Sequence, residues 1–82
     1  DIFSLKMFFI SKMDDERIVG HLEGQIVLLE KHLQHLLNRK ETLFDETYIA
    51  NNYGHYLVLE RAIARNKGQL KWLKTTLNKH KG

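Results

Sequence analysis

The 82-residue chain contains no cysteine and no proline. Without cysteine it can form neither a disulfide framework nor a metal site with thiolate ligands, which fits a reducing cytosol. Without proline nothing interrupts a long helix, and the abundance of leucine, lysine and glutamate predicts an all-helical protein. The chain also lacks an apolar run of the roughly 20 residues that a membrane-spanning helix needs. A domain of this size has little net stability by itself, so we expect oligomerisation to add more.

Two stretches repeat apolar residues at alternating steps of three and four, the spacing that keeps a stripe on one side of an α-helix. Each stripe has one polar interruption, Lys40 in the first and Asn66 in the second. The first stripe consists of Leu22, Ile26, Leu29, Leu33, Leu36 and Leu43, and the second of Tyr56, Leu59, Ile63, Leu70, Leu73 and Leu77. Each stripe needs an apolar partner surface, so the pattern predicts two long helices that pack on each other.

The charges beside the stripes predict how the two helices pair. Acids recur every seven residues beside the first stripe and lysines beside the second, so an antiparallel arrangement brings opposite charges together. The predicted ion pairs are Glu16–Lys81, Glu23–Lys74 and Glu30–Lys67, and the predicted apolar pairs are Leu22–Leu77, Ile26–Leu73, Leu29–Leu70 and Leu36–Ile63. Exposed ion pairs contribute well under about 1 kcal/mol each, so they select direction more than they stabilise. The sequence therefore predicts an antiparallel helical hairpin, and leaves open whether it forms within or between chains.

Capping residues and composition predict the helix boundaries. Asp14 is a suitable N-cap, with further acids in the first turn, for a helix that runs to about Phe44. The polar stretch from Asp45 to Asn52 predicts the turn of the hairpin. The last helix is expected to begin at the asparagines that end this stretch and to run to about Lys79.

Gly20 and Gly24 lie one turn apart within the first long helix. Glycine inside a helix costs about 1 kcal/mol relative to alanine. The pair indicates either the close approach of another helix, such as the N-terminal one, or tolerated flexibility near a helix start. The sequence leaves both interpretations open.

The opening segment, residues 2–10, is the most apolar part of the chain. As a helix it places Phe3, Met7 and Ile10 on one side, while other apolar side chains cover much of the remaining surface. A helix that is apolar nearly all round is usually buried on more than one side. One hairpin cannot cover it, so we expect a second copy of the chain to do so.

No pattern typical of an enzyme or a cofactor site occurs in the sequence. Glycine-rich phosphate loops, nucleophile elbows and zinc-protease motifs are all absent, so we expect neither catalysis nor a cofactor. His32 and His35 have a spacing that could share a metal, but no further ligands complete the site, and polar positions beside a stripe explain both. We assign no catalytic, cofactor-binding or metal-binding residue.

Positive charge is concentrated near the C-terminus, where residues 61–82 carry seven Lys or Arg and no acid. Such a segment can bind nucleic acid or an anionic membrane surface. Cations also suit a helix C-terminus and offset an acidic partner helix. We favour this second explanation, and expect neither tight DNA binding by these residues nor membrane association.

Three features together resemble a known family. Phe3 to Phe9 reads Phe-Ser-Leu-Lys-Met-Phe-Phe and leads into a short acidic break. A long leucine-rich helix follows, and the next helix carries a late Trp72-Leu73 pair. In this order and spacing, the features resemble the C-terminal domain of PadR-family transcriptional regulators, of the type called the virulence activator alpha C-terminal domain.

The resemblance implies a cytoplasmic regulator in which an N-terminal winged-helix domain reads operator DNA and the C-terminal helices form the homodimer. Because the chain starts at Asp1 and has no β-hairpin pattern, we expect residues 1–82 to be a single dimerisation domain from a longer polypeptide. The winged-helix domain is expected upstream, and DNA would bind through it. Whether the domain also binds a small-molecule effector stays open. Assigning one to Trp72 rests on analogy, and we favour a packed interface role for this side chain.

The sequence thus predicts an all-α fold with a short N-terminal helix and a long antiparallel hairpin, in a dimer. The alternative function is a free-standing helical adaptor that binds a protein partner or an anionic surface through its basic third helix. The residues expected to form the core and the dimer contact are Phe3, Met7, Phe8, Ile10, Leu22, Ile26, Leu29, Leu33, Leu36, Ile63, Leu70, Trp72, Leu73 and Leu77.

Overall fold

The computed structural model describes all residues from 1 to 82 and contains four helices and no strand. The helices are α1 (Ile2–Phe8), α2 (Arg17–Leu43), α3 (Glu46–Asn51) and α4 (Tyr53–Lys81). The two long helices, α2 and α4, pack against each other along their length and run in opposite directions within one chain. The predicted all-α fold with a short first helix and a long antiparallel hairpin is confirmed.

The start of α2 differs from the prediction. Asp14 does not cap this helix, which begins at Arg17 with Glu16 as its cap residue. The Asp15 carboxylate instead accepts a hydrogen bond from the backbone N–H of Arg17 at 2.9 Å and pairs with the Arg17 guanidinium at 2.7 Å. Asp15 therefore satisfies an otherwise free N–H of the first turn, a role that the sequence assigned to its neighbour.

The hairpin turn is more ordered than predicted. The stretch expected to be a loop contains α3, because the Asp45 side chain accepts a hydrogen bond from the Tyr48 N–H at 2.8 Å and caps the helix. Tyr48 and Ile49 also pack against the buried Phe44, which gives this short helix a tertiary contact. The predicted boundaries on either side are correct, since α2 ends at Leu43 and α4 follows Asn52.

The core lies between α2 and α4 and divides into two clusters. The cluster near the start of α2 consists of Ile18, Leu22, Ile26, Leu70 and Leu73, and Leu29, Leu33 and Leu77 pack against it. The cluster near the turn consists of Phe44, Leu59 and Ile63, and Leu36 and Leu37 pack against it. Both members of each predicted apolar pair lie in the same cluster, so the predicted register of the apolar stripes fits the packing.

The ion pairs between α2 and α4 are not the predicted ones. Glu23 pairs with Lys81 at 3.1 Å and Glu30 pairs with Lys74 at 3.8 Å. The predicted acids and lysines are thus the correct groups, but each lysine pairs with the acid one heptad further along α2. The predicted pairs Glu16–Lys81, Glu23–Lys74 and Glu30–Lys67 were wrong.

The chain is elongated. Its principal extents are 52 × 22 × 14 Å and its radius of gyration is 16.4 Å, against about 12 Å for a compact domain of this length. One face of the hairpin is partly covered by α1, which contacts α2. None of the helices has both the length and the apolar character needed to cross a membrane.

Candidate functional site

Helix α1 attaches to the hairpin by one side only. Asp1 caps it by accepting a hydrogen bond from the Ser4 N–H at 2.7 Å. Phe3, Met7 and Ile10 are half-buried and pack against the first core cluster, as the helical spacing predicted. No residue of α1 is fully buried, so the hairpin covers only this side of the helix.

The opposite side of α1 is apolar and exposed. Its four large side chains are exposed by 59% to 83%, namely Ile2, Leu5, Phe8 and Phe9. The Phe8 and Phe9 rings contact each other edge to face with 5.9 Å between centroids, but no other aromatic ring lies within stacking range of them. We call these four residues the α1 edge. Single exposed apolar residues are ordinary, whereas four of them together on one short helix make that helix a candidate contact surface.

Trp72 lies on α4 beside a cavity of about 460 Å³ and is 57% exposed. Phe3, Leu29 and Leu73 form the apolar part of the cavity wall, and Arg65 contributes a cation. Trp72 is therefore not packed in the core of the chain. Its predicted role as an interface residue remains a prediction.

Lys40, one of the two polar residues on the stripes, forms an ion pair across the hairpin. Its ammonium lies 2.6 Å from the Glu60 carboxylate and 5.9 Å from the centre of the Tyr56 ring. The hydrogen bond from Lys40 lowers the pKa of the Glu60 carboxyl, and the same bond raises the pKa of Lys40. Lys40 stays half-exposed, so the stripe opens to solvent at this position and the charge is compensated.

Asn66, the second polar residue on the stripes, is buried. Only 5% of its surface is exposed, and its Oδ1 atom has no hydrogen-bond partner. It lies on α4 between the two core clusters, three residues after Ile63 and four before Leu70. An unpaired buried amide oxygen destabilises a fold, so Asn66 is expected to lower the stability of the chain.

The predicted core and contact residues divide into three groups by burial. Leu22, Ile26, Ile63, Leu70 and Leu73 are buried. Seven are half-buried, namely Phe3, Met7, Ile10, Leu29, Leu33, Leu36 and Leu77. Phe8 and Trp72 are exposed. The first two groups hold the chain together, and the third group lies on surface that the chain itself does not cover.

The sequence prediction omitted several residues that matter here. Ile18 and Phe44 are core residues. Ile18 lies four residues before Leu22, so the same helical spacing could have identified it. The prediction also omitted two exposed apolar residues on α2, Val27 and Leu28. They lie on the side of α2 that faces away from α4, where polar residues are expected. Two apolar residues at such positions could have indicated a contact surface from the sequence alone.

The histidines do not gather into a cluster with acidic side chains. His32 and His35 are both exposed, and no group of three or more His, Asp or Glu side chains has a geometry that could hold an ion. His55 instead packs against the buried Phe44 with 4.9 Å between ring centroids, and its Nδ1 lies 3.0 Å from the Tyr48 hydroxyl. This aromatic group closes the turn end of the hairpin.

Comparison with known proteins identifies the family. Residues 1–81 match the model of the family described as virulence activator alpha C-term. The negative transcriptional regulator PadR of Bacillus subtilis (strain 168) is 30% identical over 81 residues, an alignment that covers 94% of this chain and 44% of that relative. The chain thus spans less than half the length of this curated relative, and no solved structure matches it. The resemblance found in the sequence is confirmed, and the chain belongs to the virulence activator alpha C-terminal family of PadR-like regulator domains.

Proposed function

We propose that this chain is the homodimerisation domain of a PadR-like bacterial transcriptional regulator. The whole chain, residues 1–82, acts as one domain and holds two winged-helix DNA-binding domains at a fixed separation in a cytoplasmic protein. The observation that carries the proposal is the α1 edge, because Ile2, Leu5, Phe8 and Phe9 present a continuous apolar surface to solvent. A second copy of the chain would remove it from water.

The total surface area supports the same conclusion. The chain exposes 6490 Å². A compact monomer of 9.7 kDa exposes about 5,100 Å² by the usual scaling with mass, so this chain exposes about 1,400 Å² more. A dimer interface of standard size buries about 800 Å² per partner. The excess is therefore larger than the area that one partner buries in such an interface. The elongated hairpin leaves this surface exposed to solvent.

The hairpin also has the mechanical properties that the proposed role needs. Two-fold regulators read DNA half-sites about 34–36 Å apart, so the element that joins the two DNA readers must hold its shape. The chain extends over 52 Å, and two separate core clusters fix its hairpin, one near the start of α2 and one near the turn. Its function in this proposal is geometric positioning, without any chemical step.

Size-exclusion chromatography with light scattering tests the proposal through a pair of matched variants. Phe8 and Val58 are both exposed, by 83% and 67%, so neither truncation disturbs the core of the chain. Phe8→Ser should weaken dimerisation by about 2 kcal/mol, the loss typical of an aromatic residue central to an interface. Val58→Ser on α4 should leave the mass unchanged. If both variants and the wild type run as one monomeric species, the proposal fails.

The alternative is an adaptor that binds an anionic surface through the basic end of α4. The ion pairs argue against it, because Lys74 and Lys81 are already engaged by Glu30 and Glu23. These two are among the seven Lys and Arg residues of the segment, so the ion pairs reduce the free positive charge of α4 without removing it. Binding of this chain to DNA or to anionic vesicles, with an affinity that falls steeply as salt rises, would favour the adaptor over the dimerisation domain.

A further inference from the structure

The groove between α1 and α2 has no occupant within the chain. It measures about 410 Å³, and Ile2 and Lys6 line one wall while Leu28 and Gln25 line the other. Gly20 and Gly24, one helical turn apart, form part of its surface. A Cβ atom added at either glycine would meet no atom within 4 Å. Helix α1 therefore does not approach α2 closely enough to require glycine at these positions.

The rim of this groove continues the α1 edge onto α2. Val27 and Leu28 follow Gly24 on the helix and are exposed by 62% and 59%. Helical spacing places Gly20, Gly24 and Val27 on the side of α2 that points away from α4. The outer side of a hairpin helix normally carries polar residues. Here the residues on that side are small or apolar over two turns. Leu28 and the α1-edge residue Ile2 both line the groove, so exposed apolar side chains stand on each of its two sides.

We propose that a second copy of this chain occupies the groove, and that α2 of one protomer crosses α2 of its partner at Gly20 and Gly24. The inference rests on the proposed dimerisation function and names the surface that performs it. In a two-fold contact the same patch meets itself, so the two glycine pairs lie together at the axis. Residues without side chains let the two helix backbones approach closely, while Val27, Leu28 and the α1 edge close around the crossing.

The surface area makes a second copy the favoured occupant. The chain as a whole exposes about 1,400 Å² more than a compact chain of the same mass, and the exposed apolar side chains of α1 and of the outer side of α2 belong to that exposed surface. One protomer contributes about 800 Å² to an interface of standard size, so the chain exposes enough surface to form such a contact. A patch that is apolar in the middle and charged at Lys6 and Lys31 on its border also has the usual pattern of such an interface.

The test compares glutamine at two glycines. Because both sites are open in the single chain, Gly24→Gln and Gly54→Gln should fold equally well, which circular dichroism checks. Gly54 lies in the first turn of α4, at the other end of the hairpin from the groove, and serves as the matched control. Sedimentation should show the dimer dissociation constant raised about ten-fold or more by Gly24→Gln and unchanged by Gly54→Gln. A dimer weakened only by Gly54→Gln, weakened equally by both variants, or weakened by neither overturns the inference and leaves dimerisation itself standing.

Cysteine variants provide a second measurement that does not depend on weakened association. The chain has no cysteine of its own, so a single introduced thiol can cross-link only to its copy. A disulfide requires Cα atoms about 4.4–6.8 Å apart, which the proposed crossing provides and the control site does not. Gly24→Cys or Gly20→Cys should give a disulfide-linked dimer under mild oxidation, and Gly54→Cys should not. Equal cross-linking at Gly54, or none at either α2 site, contradicts the crossing.

Discussion

Glu23 and Lys81 pair across the hairpin with 3.1 Å between the carboxylate oxygen and the ammonium nitrogen. The register of the apolar stripes would bring Lys74 closer to Glu23 along the helix axis, yet Lys74 pairs with Glu30. The direction of helical side chains explains the difference. Each side chain leans toward the N-terminus of its own helix, so in an antiparallel pair the long side chains from α2 and α4 lean in opposite directions. Pairs that are offset by several residues therefore converge, and directly opposed pairs diverge.

A double-mutant cycle tests this ion-pair register. Replacing Glu30 and Lys74 by alanine, singly and together, should give a coupling free energy of about 0.2–0.5 kcal/mol, as is typical of exposed pairs. The same cycle with Glu30 and Lys67 should give no measurable coupling. Urea unfolding in low salt measures both. Coupling of Glu30 to Lys67 but not to Lys74 would restore the register predicted from the sequence.

The unpaired Asn66 should make the wild-type chain less stable than a simple variant. Asn66→Leu removes a buried amide without a hydrogen bond to its Oδ1 and replaces it with an apolar group of similar size. The free energy of unfolding should rise by about 1–3 kcal/mol. Urea unfolding at one fixed protein concentration measures the change, since association would also shift the midpoint. The exposed neighbour Gln69 is the control, and Gln69→Leu should have little effect.

A lower stability of Asn66→Leu than of the wild type would mean that Asn66 is hydrogen-bonded in solution. The same preparations also report on specificity. A polar residue in an apolar seam disfavours other registers and other oligomer sizes. Asn66→Leu should therefore give a broader distribution of masses in sedimentation, even as each unfolding midpoint rises.

Leu22 is the centre of the core, since it is the one large side chain that is fully buried. Leu22→Ala should cost about 2–5 kcal/mol through lost burial and the cavity left behind. Leu57, at 48% exposed on α4, provides the comparison, and Leu57→Ala should cost under about 1 kcal/mol. Thermal unfolding followed by circular dichroism separates the two. Equal losses for both variants would contradict the packing described here.

The start of α2 should respond to acid through Asp15. Hydrogen bonds from the side chain and the backbone of Arg17 lower the pKa of this carboxyl from 3.8 to about 2. Because the folded pKa lies below the ordinary one, the stabilisation is complete above pH 3.8 and disappears as the pH falls through about 2. NMR titration of the carboxyl carbons should give a midpoint near 2 for Asp15, and Arg17→Gln should raise it. A wild-type midpoint near 3.8 would show that the pair does not form.

The fold prediction rested mainly on the regular spacing of apolar residues along the two long helices. The stripes of apolar residues determine that α2 and α4 pack together, and Asn52 and Phe44 lie at the predicted helix ends. The short helix α3 escaped prediction because six residues are too few to show a period. It depends on a cap from Asp45 and on contact with Phe44, which is a tertiary effect. Local capping rules also could not choose between Asp14 and Asp15 at the start of α2.

The candidate surface was only partly predictable for a related reason. Periodicity identifies which side of a helix is buried, and so it found Phe3, Met7 and Ile10. It does not identify apolar residues on the opposite side, such as Val27 and Leu28, because they fall outside the stripe. Only the fold shows that Leu28 lines a groove together with Ile2 of the exposed α1 edge.

The mass of the wild-type chain in solution tests the central claim most directly. Sedimentation equilibrium at tens of micromolar should give twice the 9.7 kDa of one chain, with dissociation on dilution, because in the proposed dimer a second copy covers the α1 edge. A mass of 9.7 kDa across the whole concentration range would contradict the account. The exposed aromatic residues of α1 would then have no partner among copies of this chain.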